Sequence, residues 1–275
     1  MAKRLKLATR AFGAEPGMPD VAALAVWIAE HRRTTADMIT YLLDQSLEPQ
    51  VTAGITLSCA GGRFYENRIM QSLLGVDGRK AIGELGLDPQ AISEDAAGIV
   101  VQKKGAWCAL PAPHVLRIAD TYYDDEFEWN DAITGTYRTL MRSMRDVGIS
   151  GHVLICDSIS EPEITSLVRQ NVFFFQQKSD RESLACLLEH QRQIAISRDM
   201  LETVFDLSSE YDLRKIILID PDQESISRAL SCLDPDQVSI GGYCTDLCEN
   251  YWKTLVESAF CQTVSGYQDD FLKRS

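Results

Sequence analysis

The sequence lacks several features, and each absence narrows what the protein can be. No apolar run reaches about 18 uninterrupted residues, so no transmembrane helix is expected. No CxxC pair occurs, and histidines number only 4. The 8 cysteines are scattered through apolar segments, which predicts reduced thiols rather than a disulfide framework. Basic residues are in deficit, 27 Lys and Arg against 40 Asp and Glu, for a net charge of -13. That balance argues against sequence-independent binding to nucleic acid and against anionic membrane surfaces, both of which need excess Lys and Arg. The opening MAKRLKLATRAF is basic but has no apolar core of a signal peptide, which predicts a cytoplasmic protein. What is present is ample hydrophobic residue, 45% of 275, enough for one large α/β domain or two small ones.

Organisation is clearest from Ala106 to Ser158. An apolar run there ends in Leu110-Pro111-Ala112-Pro113, whose prolines stop ladder pairing, so Ala106 to Leu110 reads as a strand. Ile133, Tyr137, Leu140, Met141, Met144 and Val147 then recur at helical steps, with Gly148 placed to end the helix. His152 to Cys156 reads as the next strand, which completes a βαβ unit. The second half continues the alternation, with strands at Val153 to Cys156, Val172 to Gln176, Gln193 to Ser197, Lys215 to Asp220 and Gln237 to Gly242. Helical segments fill the gaps: Glu161 to Arg169, Asp180 to His190, Asp199 to Tyr211 and Gln223 to Leu233, with Asp246 to Cys261 as the last helix. Strands so continuously apolar are buried on both faces, as in parallel sheets.

The first half is less regular. Leu5 to Phe12 reads as a strand, Val21 to His31 and Thr35 to Gln45 as helices capped by Asp20 and by Thr34 or Thr35, and Val51 to Cys59 as a β-branched strand before a Gly61-Gly62 turn. Phe64 to Leu74 reads as a helix, residues 75 to 97 as short surface helices, and Gly98 to Gln102 with Ala106 to Leu110 as a hairpin or one bent strand. Eight strands in this length predict a single (β/α)8 domain over residues 1 to 275. An open doubly wound sheet fits the regular half equally well.

In such folds the chemistry sits at the carboxyl ends of the strands. Asp157 and Asp220 follow apolar runs directly and are candidate catalytic groups, though both also suit helix capping. His114, after Pro113, is a candidate acid or ligand. Arg10 and Arg63, after the first two strands, would suit an anionic substrate group. Gly241 and Gly242, before the last helix, could cradle a phosphate or carboxylate, and Cys244 is a candidate metal ligand or nucleophile against the alternative of a buried thiol. Cys59 and Cys108 lie near other strand ends. The acidic run Asp120, Asp124, Asp125, Glu126, Glu128 and Asp131 reads as the dipole-favoured start of the long helix, with a magnesium site as the alternative.

The run from LPAPHVL through TYYDDEFEWNDAITGTYRTLMRSMRDVG resembles the middle of the barrel shared by cobalamin-independent methionine synthase and uroporphyrinogen decarboxylase. DQSLEPQVTAGITLSCAGGRFYENRIMQSLLG is similar to that family's segment of glutamine-bearing helix, strand and Gly turn, and RAFGAEPGMP echoes its opening. The resemblance implies a methyltransferase moving a methyl group to or from a thiol or a corrinoid-linked carrier, with zinc holding the thiolate. It places Cys244 at the last zinc ligand and Asp157 at an acidic strand end. In a second register His152 and Cys156 stand near the family's His-x-Cys strand, Gln176 or Gln177 near its Glu, and Gln223 at its Cys. Four residues apart on a strand, His152 and Cys156 would be roughly 13 Å apart, too far to share one ion. The same resemblance carries a metal-free alternative, a lyase or decarboxylase acting on a small molecule, or a non-catalytic binding or assembly protein.

Overall fold

A computed structural model describes residues 4–31, 36–245 and 248–262. Eight strands and ten helices carry the architecture: β1 Ala8–Ala14, α1 Val21–Glu30, α2 Met38–Ala53, β2 Cys59–Gly61, α3 Glu66–Ser72, α4 Gln90–Gln102, β3 Trp107–Pro111, α5 Glu126–Val147, β4 Gly151–Cys156, α6 Glu161–Leu167, β5 Val172–Gln176, α7 Arg181–His190, β6 Gln193–Ser197, α8 Leu201–Leu207, β7 Lys215–Ile219, α9 Gln223–Cys232, β8 Val238–Cys244 and α10 Cys248–Ser258. The fold is mixed α/β with two parallel four-stranded sheets, ordered β6-β7-β8-β1 and β2-β3-β4-β5. A bridge from Arg10 to Leu57 joins β1 to the segment entering β2, so the strands follow chain order across both sheets. Among the described residues no ladder joins β5 to β6.

Every residue of β4 and of β8 is buried, the expected state of parallel strands covered on both faces. Phe12 of β1 stacks on Phe175 of β5 at 4.5 Å between centroids and lies 5.3 Å from Phe173, which brings the two sheets face to face around an aromatic filling. Helix starts are set by carboxylates: Asp20, Asp125, Asp180 and Asp222 each accept a backbone N–H of the following turn, and Asp37 forms a reciprocal capping box with Thr40. Among the described residues no helix is long and apolar enough to cross a membrane.

The first half departs from expectation in definite ways. Val51 to Ala53 belongs to α2, which accommodates Pro49 and ends where Gly54 adopts φ 79°, so only Cys59–Gly61 is strand. Asp37 caps that helix, and Thr34 and Thr35 lie outside the described residues. Residues Leu73–Asp77 and Lys80–Leu87 form an antiparallel hairpin extended by Ala119–Asp120, where short helices were expected. Gly98 to Gln102 is the last turn of α4. The first strand is split, Arg4–Lys6 pairing antiparallel with Phe260–Gln262 before β1 begins. The expected helix from Asp246 starts, among described residues, at Cys248.

Candidate functional site

The carboxyl ends gather a polar layer that β1, β2, β3, β4 and β8 build together. Gly62 follows β2 where a Cβ would meet the Ala14 carbonyl at 2.2 Å and Glu15 Oε1 at 2.8 Å, so the absence of a side chain lets the carboxylate of Glu15 settle there. Glu15 accepts the backbone N–H of Arg63 and the hydroxyl of Tyr243. The Tyr243 hydroxyl is held well above the ordinary tyrosine range, by burial first and by the neighbouring carboxylate second. Arg63, positioned by that contact, extends Nη1 to Asp157 Oδ1 at 2.7 Å, with both side chains partly exposed at 34% and 45%. Arg117, in a left-handed conformation at φ 51°, places Nη2 4.0 Å from Asp157 Oδ2.

His114 stands on a 3-10 turn, Pro113–Leu116, that begins where the prolines end β3. Glu163, at the start of α6 and 4% exposed, grips it twice, accepting its backbone N–H at 2.7 Å and facing Nδ1 at 2.8 Å. The backbone N–H of Asp157 donates toward His114 Nε2 at 3.4 Å, which assigns the proton to Nδ1 and leaves the Nε2 lone pair facing the strand ends. Gln176 Nε2 donates to the Asp157 carbonyl at 3.3 Å, while Gln176 Oε1 is buried without a partner. The arrangement offers a proton acceptor of fixed tautomer beside two arginines.

The structure thus brings His114, Asp157 and Arg63 together. Asp220 stands apart at the end of β7, with φ 46° and its carboxylate accepting from Tyr251. Burial raises the Asp220 carboxyl above its ordinary range, and the Tyr251 hydrogen bond opposes the shift. Gly241 and Gly242 lie inside β8, in register with Arg10 and Ala11, rather than in a loop before α10. A Cβ at Gly241 would meet Ile217 and Phe12 at 2.7 Å, and one at Gly242 would meet the Tyr251 hydroxyl at 2.2 Å, so both are packing positions whose backbone serves the ladder. Arg10 is likewise inside the fold, the third residue of β1, and its guanidinium lies against aromatic rings toward the amino ends of the strands, away from the carboxyl ends. Cys244 ends β8 and is 2% exposed. Cys59 and Cys108 are fully buried, and burial pushes both thiols up.

Zinc requires soft donors converging on one point. Among the described residues no group of three or more His, Cys, Asp or Glu is arranged to hold a metal ion, so the donors present do not fit a zinc centre at Cys244. The acidic run before α5 is also not a metal cluster; Asp120 and Asp125 accept backbone N–H groups of the turn and helix start. Glu15, Glu163, Arg117 and Tyr243 were not singled out from sequence. Glu163 reads there as an ordinary acidic first turn, and only Tyr243, set between Gly242 and Cys244, lay next to residues already suspected.

No family model and no curated protein sequence matches the chain. Solved structures do. A protein from Listeria monocytogenes designated a vitamin-B12 independent methionine synthase is similar with a TM-score of 0.66 at 14% identity, covering 90% of this chain and 95% of that one. A B12-independent methionine synthase from Shewanella sp. W3-18-1, solved with selenomethionine, is similar with a TM-score of 0.54 at 14% identity, covering 92% and 96%. These likenesses are of fold.

Proposed function

We propose that the chain is a single (β/α)8 enzyme, residues 1 to 275, that performs metal-free acid–base chemistry on a small carboxylate-bearing molecule, in the manner of a lyase or decarboxylase. The observation that carries this reading is the double grip of Glu163 on His114, which fixes the imidazole with Nε2 toward the backbone of Asp157, whose carboxylate meets Arg63 and Arg117. In this reading the substrate displaces the long Asp157 N–H contact from His114 Nε2, which takes the proton alpha to a substrate carbonyl while the electron pair moves into that carbonyl as an enolate, and Glu163 stabilises the imidazolium that forms. The Arg63 guanidinium exchanges the Asp157 carboxylate for that of the substrate, a trade between like ligands at a partly exposed pair. Asp157, released beside His114, then compensates its new positive charge. No step runs through zinc.

The test is exchange of substrate hydrogen for deuterium in D2O, followed by NMR over a panel of 2-oxo and dicarboxylic acids. Removing a general base lowers rates by roughly 10²- to 10⁴-fold, so His114→Gln should lose exchange on that scale while Arg63→Gln chiefly weakens binding. Equal exchange in His114→Gln and wild type would sink the proposal.

Methyl transfer to or from a thiol or a corrinoid-linked carrier is a second reading, favoured by the two similar structures designated methionine synthases. It would make Cys244 a metal ligand. Zinc retained by tag-free protein and lost in Cys244→Ser supports it, and protein that neither carries nor retains added zinc rules it out.

A further inference from the structure

Arg10 is 7% exposed, and its guanidinium carbon lies 4.3 Å from the ring centre of Phe173, 4.6 Å from that of Trp107 and 5.0 Å from that of Phe12. Three rings crowd around the guanidinium, and rings offer no hydrogen-bond acceptor in its plane. Nη1 reaches Gln193 Oε1 at 3.5 Å, a long contact, while Nε and Nη2 are buried with no acceptor among the described residues. Those two atoms form the side edge of the guanidinium that takes a carboxylate through two parallel bonds. The chain itself displays the match: Arg68 uses Nε and Nη2 to hold Asp95 at 2.7 and 3.2 Å. Cys59 is the titratable neighbour of Arg10, and burial keeps its thiol protonated, so it supplies no counter-charge.

We propose that the Nε and Nη2 edge of Arg10 is a binding site for a small planar oxyanion of formate or bicarbonate size, separate from the His114 layer. Arg10 and Glu15 are five residues apart, so the site lies about 16 Å along the strand from the carboxyl-end layer. The nearest exposed group is Gln193, the first residue of β6, whose side chain meets Nη1 on the edge where no ladder joins β5 among the described residues, so in this proposal the ion enters as that side chain swings aside. Size selects the ligand, because the three rings leave only the plane of the guanidinium. Charge selects it as well, because a buried guanidinium with free donors lacks only an acceptor of opposite sign.

Formate is the probe. Thermal midpoints of the wild-type chain should rise with the logarithm of sodium formate concentration against sodium chloride at equal ionic strength, and Arg10→Met should show no such rise. In case that variant does not fold, the Arg10 Nε–H resonance of ¹⁵N-arginine-labelled wild type supplies a direct readout, recognisable by ring-current displacement and by its loss in Arg10→Lys. It should shift saturably with formate and not with chloride. No shift with formate, or an equal shift with both salts, overturns the proposal, and either result leaves the His114 reading untouched.

Discussion

Arg68 and Arg10 are both buried, at 5% and 7% exposure, and differ in almost everything around them. Arg68, on α3, meets Asp95 through two donors and Asp37 through Nη2 at 2.8 Å, and Asp95 also accepts from the Tyr65 hydroxyl at 2.9 Å. Its paired carboxylates lift its pKa despite burial, whereas burial of Arg10 lowers that group to about 10. Burial even holds the Asp95 carboxyl above its usual range against the pull of Arg68. One guanidinium is electrostatically complete within the chain, and the other is packed but not satisfied. The contrast teaches that burial alone does not reveal what a charged group is for; the occupancy of its donors does.

The largest test of that contrast removes the partner from the complete pair. Asp95→Ala leaves the Tyr65 hydroxyl and the Arg68 Nε buried without their acceptor, with Asp37 on Nη2 as the carboxylate that stays, and should cost about 3–5 kcal/mol in denaturant unfolding. A loss under about 1 kcal/mol would mean that the network contributes little.

The next tests another buried group without a partner, His152. It is fully buried on β4, neither ring nitrogen has a partner among the described residues, and burial first and Arg145 second depress it to about 3 from 6.5. A histidine with a lowered folded pKa contributes stability that is fully present above 6.5 and is lost as pH falls toward the folded value. Between pH 6.5 and 5 the loss should approach ~2 kcal/mol, at ~1.4 kcal/mol per unit. His152→Phe should flatten that slope in urea titrations at several pH values; an unchanged slope assigns the dependence to other groups.

The smallest effect is expected at Arg10 in buffer free of small oxyanions. Arg10→Met trades two unsatisfied donors, each costing ~1–3 kcal/mol, for three lost cation–π contacts of ~0.5–2 kcal/mol each, two sums of similar size, and should change stability by no more than about 1 kcal/mol. A loss as large as that of Asp95→Ala would erase the distinction between the two arginines.

How far the sequence discloses this follows from where the information lies. From Val153 onward the alternation of apolar strands and helices places every strand of the two parallel sheets, because burial on both faces writes itself as an uninterrupted run, but the short Phe260–Gln262 strand is hidden in what reads as the end of the last helix. Val51 to Ala53 misleads because the β-branched Val51 and Thr52 and the small Ala53 serve the last turn of α2 as well as a strand, and Gly54 decides the matter only through its left-handed backbone. His114, Asp157 and Arg63 are legible as ends of strands. Glu163 and Glu15 are not, since Glu163 lies 49 residues from His114 and Glu15 lies 228 from Tyr243, distances that no local pattern encodes.

The pairing of β1 with β8 also bears on how the chain is made. Residues 8 to 14 lie beside residues 239 to 244, so β1 gains one of its two neighbours only after all the intervening strands have been made. Until then its unpaired edge is exposed, a state that invites pairing with the wrong chain. A nascent protein halted before Val238 should therefore hold β1 loosely on the ribosome. The Glu15 and Tyr243 contact can form only after that last strand emerges, so the carboxyl-end layer is completed last.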